Sequence, residues 1–341
     1  MYGLEPLKGV RTFSVKNVSE ALYLCKQAIE EEGVEVETRN GPALEFETPV
    51  AIVYNKPCER VLFYPQRDAN PVFHLMESLW MLAGRNDVGW ITQYNNNMGK
   101  YSDDGEHFYG AYGYRWKQWF NKDQLEYAVH RLLTYKNDRR TVVSMWDPHK
   151  DVVKTNDGKD YPCNTQIFFK ERNGQLDMTV INRSNDMIWG ALGSNAVHMS
   201  ILQEYMAAKI NAEVGIYTQF SNNFHAYLDT LKKLDEPTRL VADYDAYAAR
   251  DIKPFPLVKE TKSFDGDLNR YFALDKYRDD RIWKMAKWKN PFFPEVIVPM
   301  HRMWKARKAG KMDLALTFAN TISAPDWAIA CTEWLTRRIK N

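Results

Sequence analysis

Hydrophobic and polar positions alternate along the chain in a way that predicts helices separated by short strands. In residues 17–32 the apolar side chains recur on one helical face, and Asn17 or Ser19 can cap its start. Residues 69–84 form a second predicted helix, with Pro71 in its first turn and Gly84 at its end. Further helices are expected at 125–135, 188–210, 268–288, 300–308 and 327–339.

The segment 164–182 is predicted to be a β-hairpin. Two β-rich runs are joined by Arg172-Asn173-Gly174, and Asn-Gly supplies the positive φ that a tight turn needs. The ends of a hairpin meet, so we expect Cys163 beside Arg183. A thiol next to a guanidinium is easier to ionise, and the thiolate is the nucleophilic form. On spacing alone, a buried cysteine and an unrelated surface arginine remain the alternative.

A length of 341 residues indicates one large domain, or a domain with an appendage. Four cysteines without CxxC spacing argue against a zinc site and for a reducing compartment. Because the sequence holds no long apolar run and no apolar leader, we expect a cytoplasmic protein. Net charge is +2, but residues 251–341 hold 18 Lys and Arg against 11 Asp and Glu. Such a basic segment can attract polyanions, although solvated helix faces also explain it.

Glu77 stands among apolar residues of the second predicted helix, including Phe73, Leu75, Met76 and Trp80. A carboxylate in such surroundings is costly unless it is paired or takes part in chemistry. A solvated helix glutamate is the alternative.

Several motifs together resemble the thymidylate synthase and deoxycytidylate (deoxyuridylate) hydroxymethylase family. They occur in this order: Pro162-Cys163, Asn182-Arg183-Ser184-Asn185-Asp186, Asn195 and His225-Ala226-Tyr227. The resemblance covers roughly residues 35–230. It implies an α/β (α+β) fold, with a mixed sheet packed by helices. We accordingly expect a catalytic domain at 1–250 and a basic, mostly helical C-terminal extension at 251–341.

The resemblance also implies catalytic roles. Cys163 would add to C6 of a pyrimidine nucleotide, and Glu77, in a Glu-x-x-Trp motif, would assist proton transfer. Tyr112, in Tyr-Gly-x-x-Trp, would line the pocket, and Asp186 is counted with the catalytic residues.

Substrate binding is expected from a second group of residues. The phosphate would be held by Arg39, Arg139, Arg140, Arg183 and Ser184, with Arg139 and Arg140 donated across a homodimer interface. His225 and Tyr227 would bind the sugar, and Asn195 would read the base. Arg39-Asn40-Gly41 is equally consistent with a plain charged turn, and Asn195, after a glycine-rich turn, with an N-cap.

The resemblance implies 5,10-methylenetetrahydrofolate as the one-carbon donor. Three departures from thymidylate synthases favour water over hydride as the final acceptor: no tryptophan in 94–111, Asn164 in place of the usual histidine, and a different C-terminus. We therefore expect a nucleotide C5-hydroxymethyltransferase acting on dUMP or dCMP, in host cytoplasm if virus-encoded. Thymidylate synthase is the alternative, and a non-catalytic nucleotide- or RNA-binding relative is the third possibility.

Overall fold

A larger mixed sheet forms the centre of the fold. The computed structural model describes residues 9–153, 158–234, 245–258, 260–275 and 280–339. In spatial order the strands of this six-stranded sheet are β1 Arg11–Val15, β4 Val50–Tyr54, β9 Glu213–Ser221, β7 Gln175–Asn182, β6 Asn164–Arg172 and β5 Val142–Ser144. Strands β1 and β4 pair in parallel, as do β7 and β9, and the remaining neighbours are antiparallel.

The predicted hairpin is confirmed as β6–β7. Asn173 and Gly174 adopt φ values of 53° and 81°, as a tight hairpin turn requires. Asn164 at the start of β6 faces Asn182 at the end of β7. The residues just outside this pair, Cys163 and Arg183, are therefore held together at one end of the sheet.

A smaller four-stranded sheet lies beside the same end. Its spatial order is β2 Val34–Thr38, β3 Gly41–Glu45, β10 Phe224–Tyr227 and β8 Asn185–Asp186. The turn at Arg39 and Asn40 joins β2 to β3, and Gly41 completes it with a φ of 108°. Residues distant in sequence, among them Asp186, His225 and Tyr227, thus share one small sheet.

Helices cover the larger sheet and extend beyond it. They are α1 Val18–Glu32, α2 Pro71–Leu82, α3 Val88–Ile91, α4 Tyr112–Tyr114, α5 Gln124–Thr134, α6 Asn195–Lys209, α7 Leu228–Leu231, α8 Ala246–Ala249, α9 Thr261–Leu274, α10 Asp280–Met285, α11 Val298–Lys308, α12 Met312–Ala319 and α13 Pro325–Ile339. Asn17 caps α1 by accepting from the N–H groups of Ser19 and Glu20, as the sequence predicts.

The glycine-rich segment before α6 differs from expectation. Met187–Ser194 is a π-helix that runs directly into α6, and the carboxylate of Asp186 caps it by accepting from the N–H groups of Ile188 and Trp189. Asn195 has helical φ and ψ of −66° and −37°, so its interpretation as an N-cap is wrong. The cap lies nine residues earlier because the aspartate reaches the first N–H groups of this continuous helix.

The helices after residue 250 share one buried core with the rest of the chain. Tyr271 and Trp283 are buried in the hydrophobic cluster that also contains α1, α2 and α6. The predicted helix 268–288 is two helices, α9 and α10, and residues 276–279 between them lie outside the described part of the chain. The mixed sheet and its helical cover confirm the expected fold class, while a domain boundary at residue 250 stays a prediction. Among the described residues, no helix is both long enough and apolar enough to span a membrane.

Candidate active site

The β6–β7 hairpin brings Cys163 and Arg183 into contact. The backbone N–H of Arg183 donates to the Cys163 carbonyl at 2.9 Å. Its guanidinium Nη2 lies 3.7 Å from the thiol Sγ, and its Nε donates to the Pro162 carbonyl at 3.0 Å. The arginine thus holds the backbone that carries the thiol as well as the thiol itself. The predicted juxtaposition is confirmed.

The effect of this contact on ionisation is smaller than the sequence suggests. Burial raises the pKa of the Cys163 thiol above its ordinary value, although the charges of Arg183 and Arg39 lower it. The carboxylates of Asp160 and Asp186 act in the same direction as burial. Desolvation of a thiolate therefore outweighs the guanidinium, and the resting cysteine is protonated near neutral pH.

Tyr112 lies near the same thiol, at the backbone of the next residue. Its phenol forms a hydrogen bond with the backbone N–H of Asn164, and burial together with the nearby Cys163 raises its pKa well above the ordinary value. Gly113 explains why this segment can approach α2. A Cβ at position 113 would overlap the Met81 carbonyl oxygen, so only glycine fits there. The Tyr-Gly pair therefore docks the phenol between α2 and the hairpin.

Glu77 faces inward from α2 and is buried, which excludes the solvated glutamate. Its Oε2 lies 3.1 Å from Nε2 of His198 on α6, at an orientation outside hydrogen-bond geometry. The ring of His74 packs edge-on against His198, with centroids 6.3 Å apart. Burial and the nearby Arg67 lower the pKa of His74 well below its usual range, so this histidine is neutral. The carboxylate therefore has a titratable neighbour that sequence reasoning missed.

Asn164, directly after the cysteine, is completely buried. Its amide Nδ2 donates to Oδ1 of Asn182 at 2.6 Å, and Nδ2 of Asn182 donates to the Phe220 carbonyl at 3.1 Å. Oδ1 of Asn164 has no hydrogen-bond partner within the described ranges. A buried carbonyl oxygen without a donor is costly, which makes it an acceptor available for a substrate or a water molecule.

The small sheet assembles the expected sugar-binding residues. Nδ1 of His225 lies 2.7 Å from Oδ1 of Asn223, which also accepts from the Ser184 hydroxyl at 3.4 Å. Burial lowers the pKa of His225, although the charge of Asp186 opposes this. In the neutral ring, Nδ1 donates to Asn223 and Nε2 is left as an acceptor. Such an acceptor suits a hydroxyl group.

Asp186 is in this group, and burial raises its carboxyl pKa although the N–H groups of Trp189 and Ile188 stabilise the charge. Its observed contacts are those of a helix cap, and its catalytic role stays a prediction.

The Arg39 turn reaches the same region. Nδ2 of Asn40 donates to the Tyr227 hydroxyl at 3.1 Å, and the Tyr227 ring stacks edge-on against His225 at 5.1 Å. The charge of Arg39 lowers the pKa of the Cys163 thiol, which places this guanidinium within electrostatic range of the nucleophile. The structure therefore brings Arg39 to the site, while its contact with phosphate stays a prediction.

Arg139 and Arg140 are not brought to Cys163. Both are exposed on the loop between α5 and β5, and the backbone N–H of Arg140 donates to Asp138. Within the described ranges, neither guanidinium forms an ion pair with a carboxylate. The structure does not support phosphate binding by these two side chains in the site of their own chain. Their proposed role therefore requires a second chain.

Several residues at the site were missed from the sequence. His74 and His198 could have been found, because each lies three positions from a predicted site residue on the same helix face. Asn185 belongs to the Asn182–Asp186 motif, but no sequence pattern indicates that it accepts from Asn195 and donates to Gln219, because the three residues lie on separate elements. Trp189 was noted only within a helix, yet its indole is 51% exposed. No group of acidic, cysteine and histidine residues within the described ranges could hold a metal ion.

Comparison with known proteins agrees with this geometry. The thymidylate synthase family model matches residues 23–285. The chain belongs to the thymidylate synthase family. It is 43% identical to the deoxyuridylate hydroxymethyltransferase of Pseudomonas phage M6, over 96% of this chain and 95% of that protein. This family membership confirms the resemblance found in the sequence.

Other relatives match shorter parts of the chain. The deoxyuridylate hydroxymethyltransferase of Bacillus phage SP01 is 39% identical over 60% of this chain and 52% of its own length. A putative thymidylate synthase of Methanothermobacter marburgensis is 36% identical over 40% of this chain and 58% of its own length. The match to the phage M6 enzyme, over 96% of this chain, therefore supports the hydroxymethylase branch.

Proposed function

We propose that this chain is a deoxyuridylate C5-hydroxymethyltransferase. It would convert dUMP, 5,10-methylenetetrahydrofolate and water into 5-hydroxymethyl-dUMP and tetrahydrofolate. The observation that carries the proposal is Cys163 in contact with Arg183, with Tyr112 hydrogen-bonded to the next residue, in a chain that resembles the phage M6 enzyme over nearly its whole length. A binding protein has no need of a nucleophile, so this arrangement argues against a non-catalytic relative.

The residues divide the chemistry between them. Cys163 loses its proton and adds to C6 of the pyrimidine, which makes C5 nucleophilic. C5 then bonds to the one-carbon unit and loses its proton, for which Glu77 is the candidate proton carrier, while the bond from that carbon to the donor nitrogen breaks and tetrahydrofolate leaves. Water adds to the resulting exocyclic methylene, and departure of the Cys163 sulfur from C6 restores the aromatic base. Covalent addition divides one difficult substitution into easier steps.

The donor folate supplies a one-carbon unit at the oxidation level of formaldehyde. Trp189 offers a surface that fits one of the planar rings of such a molecule, its pyrimidinone or its aminobenzoyl ring, because Trp189 is exposed and the Arg67 guanidinium lies 4.1 Å from the centroid of its indole ring. Trp189 also lies directly on the Asp186 cap, which is within electrostatic range of Cys163. An exposed aromatic ring in a fixed position suits stacking against a planar ligand.

Water as the final acceptor is supported by the surroundings of the thiol. Directly after the nucleophile, Oδ1 of Asn164 is a buried acceptor that meets no donor among the residues that the structure describes. The segment 94–111 contains no tryptophan that could exclude water. Both features favour hydroxymethyl over methyl as the product.

A homodimer with Arg139 and Arg140 donated to the partner's phosphate is part of the proposal. One face of the larger sheet exposes Val142, Phe168 and Ile216, each about 40% accessible. Val142 lies directly opposite Phe168 in the sheet, so their side chains share that face. A row of exposed apolar side chains on a sheet is suited to pairing with a second copy. Two of the similar proteins come from phages, so we expect the reaction in the cytoplasm of an infected cell.

Incubation with dUMP, dCMP or CMP and methylenetetrahydrofolate tests this function through the mass of the product. We expect dUMP to gain one formaldehyde unit, without the rise in dihydrofolate absorbance that accompanies methyl formation. A methylated nucleotide with stoichiometric dihydrofolate would instead establish thymidylate synthase activity. The Cys163→Ser variant is the matched control and should bind dUMP without releasing the C5 proton.

A further inference from the structure

A chain of three buried amides ends at the residue expected to read the base. Nδ2 of Asn195 donates to Oδ1 of Asn185 at 3.1 Å, and Nδ2 of Asn185 donates to Oε1 of Gln219 at 2.6 Å. Nε2 of Gln219 donates to the Ala191 carbonyl at 3.3 Å and to the Tyr217 hydroxyl at 3.0 Å. All three amide side chains are at most 7% exposed.

The chain of hydrogen bonds has only one polarity that satisfies its members. The Ala191 carbonyl can only accept, so the NH₂ end of Gln219 must face it. Oε1 of Gln219 therefore faces Asn185, which must meet it with Nδ2. Oδ1 of Asn185 is then turned toward Asn195, which must meet it with its own Nδ2. A reversed amide at any link would place two acceptors or two donors against each other.

One further hydrogen bond holds the middle amide, and a nearby glycine makes room for it. Nδ2 of Asn185 also donates to the hydroxyl of Ser221 at 3.1 Å. Gly190 leaves the necessary space, because a Cβ there would lie 2.8 Å from Oδ1 of Asn185. This chain of amide hydrogen bonds, the relay, is thus anchored on strand β9 and on the π-helix, both outside the reacting centre.

Uracil and cytosine present opposite patterns to an amide. Uracil offers an acceptor at O4 and a donor at N3, whereas cytosine offers a donor at N4 and an acceptor at N3. An asparagine that can rotate by 180° about its last bond satisfies either base. An asparagine with a fixed amide satisfies only one of the two bases. Against the other base it places donor against donor and acceptor against acceptor.

We propose that Asn185 and Gln219 are positioning residues that fix the amide of Asn195 and thereby make the site select uracil over cytosine. This inference rests on the proposed function, since it takes dUMP as the substrate. Asn185 on β8 and Gln219 on β9 act on the base through the orientation of the Asn195 amide.

The test compares nucleotide affinities in four forms of the full-length protein. Calorimetry with dUMP and with dCMP, in the absence of folate, gives the ratio of their dissociation constants. In the unmodified protein we expect dUMP to bind about 5- to 150-fold more tightly than dCMP. This is the loss of affinity expected when buried polar groups are left unpaired in the dCMP complex. Asn185→Leu and Gln219→Met remove the relay at similar side-chain volume and should reduce this ratio at least fivefold.

Asn185→Asp is the matched control. A buried carboxyl facing Oε1 of Gln219 favours the protonated form, which still accepts from Nδ2 of Asn195 and donates its O–H to Oε1 of Gln219. The Gln219 amide then keeps its orientation, so the selectivity for dUMP should remain. Thermal melting identifies variants that fail to fold. If Asn185→Leu fails to fold, Gln219→Met still tests the inference, because Gln219 lies one link further along the chain of amides from Asn195.

Three results would overturn the inference: an unchanged ratio in folded Asn185→Leu and Gln219→Met, an Asn185→Asp variant as unselective as Asn185→Leu, or no preference for dUMP in the unmodified protein. Failure of the proposed function is seen separately. A methylated product, or none, from dUMP would reject hydroxymethyl transfer while leaving the affinity ratios interpretable.

Discussion

Nε2 of His198 lies 3.1 Å from Oε2 of Glu77, where helices α2 and α6 pack together. Both side chains are buried, and their neighbours on α2 are almost entirely apolar. A carboxylate removed from water in this way is retained when it is paired or takes part in chemistry. The location beside the docked Tyr112 segment favours a role in proton transfer.

Glu77→Gln should therefore slow release of tritium from C5-labelled dUMP. General acid–base groups contribute about 10²- to 10⁴-fold, and we expect a loss in that range with little change in dUMP affinity. Glu204→Gln is the matched control, because Glu204 is also a buried glutamate on α6, paired with Arg60 at 2.6 Å. The control should melt at a lower temperature but retain proton release. Equal losses of proton release in the two variants would assign Glu77 a purely structural role.

The sequence was sufficient for local features that follow from a few adjacent residues. Asn173-Gly174 predicts the hairpin turn, and the turn in turn predicts the contact of Cys163 with Arg183. Asn195 shows the limit of such reasoning. Its neighbours Asn185 and Gln219 lie on β8 and β9, and only the pairing of strands brings them together. The glycine-rich segment was expected to be a turn that ends at Asn195. It is helical instead, because the Asp186 side chain caps the helix at the start of this segment.

The raised pKa of Cys163 predicts a pH dependence for its reaction with iodoacetamide. A thiol reacts as the thiolate, so the alkylation rate should rise through neutral pH by about tenfold per unit until the pKa is reached. Arg183→Gln removes a charge that lowers this pKa, and its curve should shift to higher pH. Peptide mass spectrometry identifies the labelled cysteine, and Cys163→Ser gives the background. A rate that is already constant at pH 6 would contradict the protonated resting thiol.

Arg183 is also expected to bind the nucleotide phosphate. Arg183→Ala should weaken dUMP binding by about 1.5–3 kcal/mol, the range for a hydrogen bond to a charged group. Arg172→Ala is the matched control, because Arg172 lies at the other end of the same hairpin and pairs with Asp177 at the surface. Calorimetry should show a changed dissociation constant only for position 183. An unchanged constant there would restrict Arg183 to holding the Cys163 backbone.

Exchange of arginines between subunits predicts complementation between two inactive variants. Cys163→Ser lacks the nucleophile but carries intact Arg139 and Arg140, and the double variant Arg139→Ala with Arg140→Ala has the reverse defect. If the arginines act in the partner's site, each mixed dimer contains one complete site. Unfolding and refolding an equal mixture should then restore about a quarter of the unmodified activity, since half the dimers are mixed. The two variants refolded separately and then combined serve as the control. If the refolded mixture is no more active than that control, the arginines do not complete the partner's site.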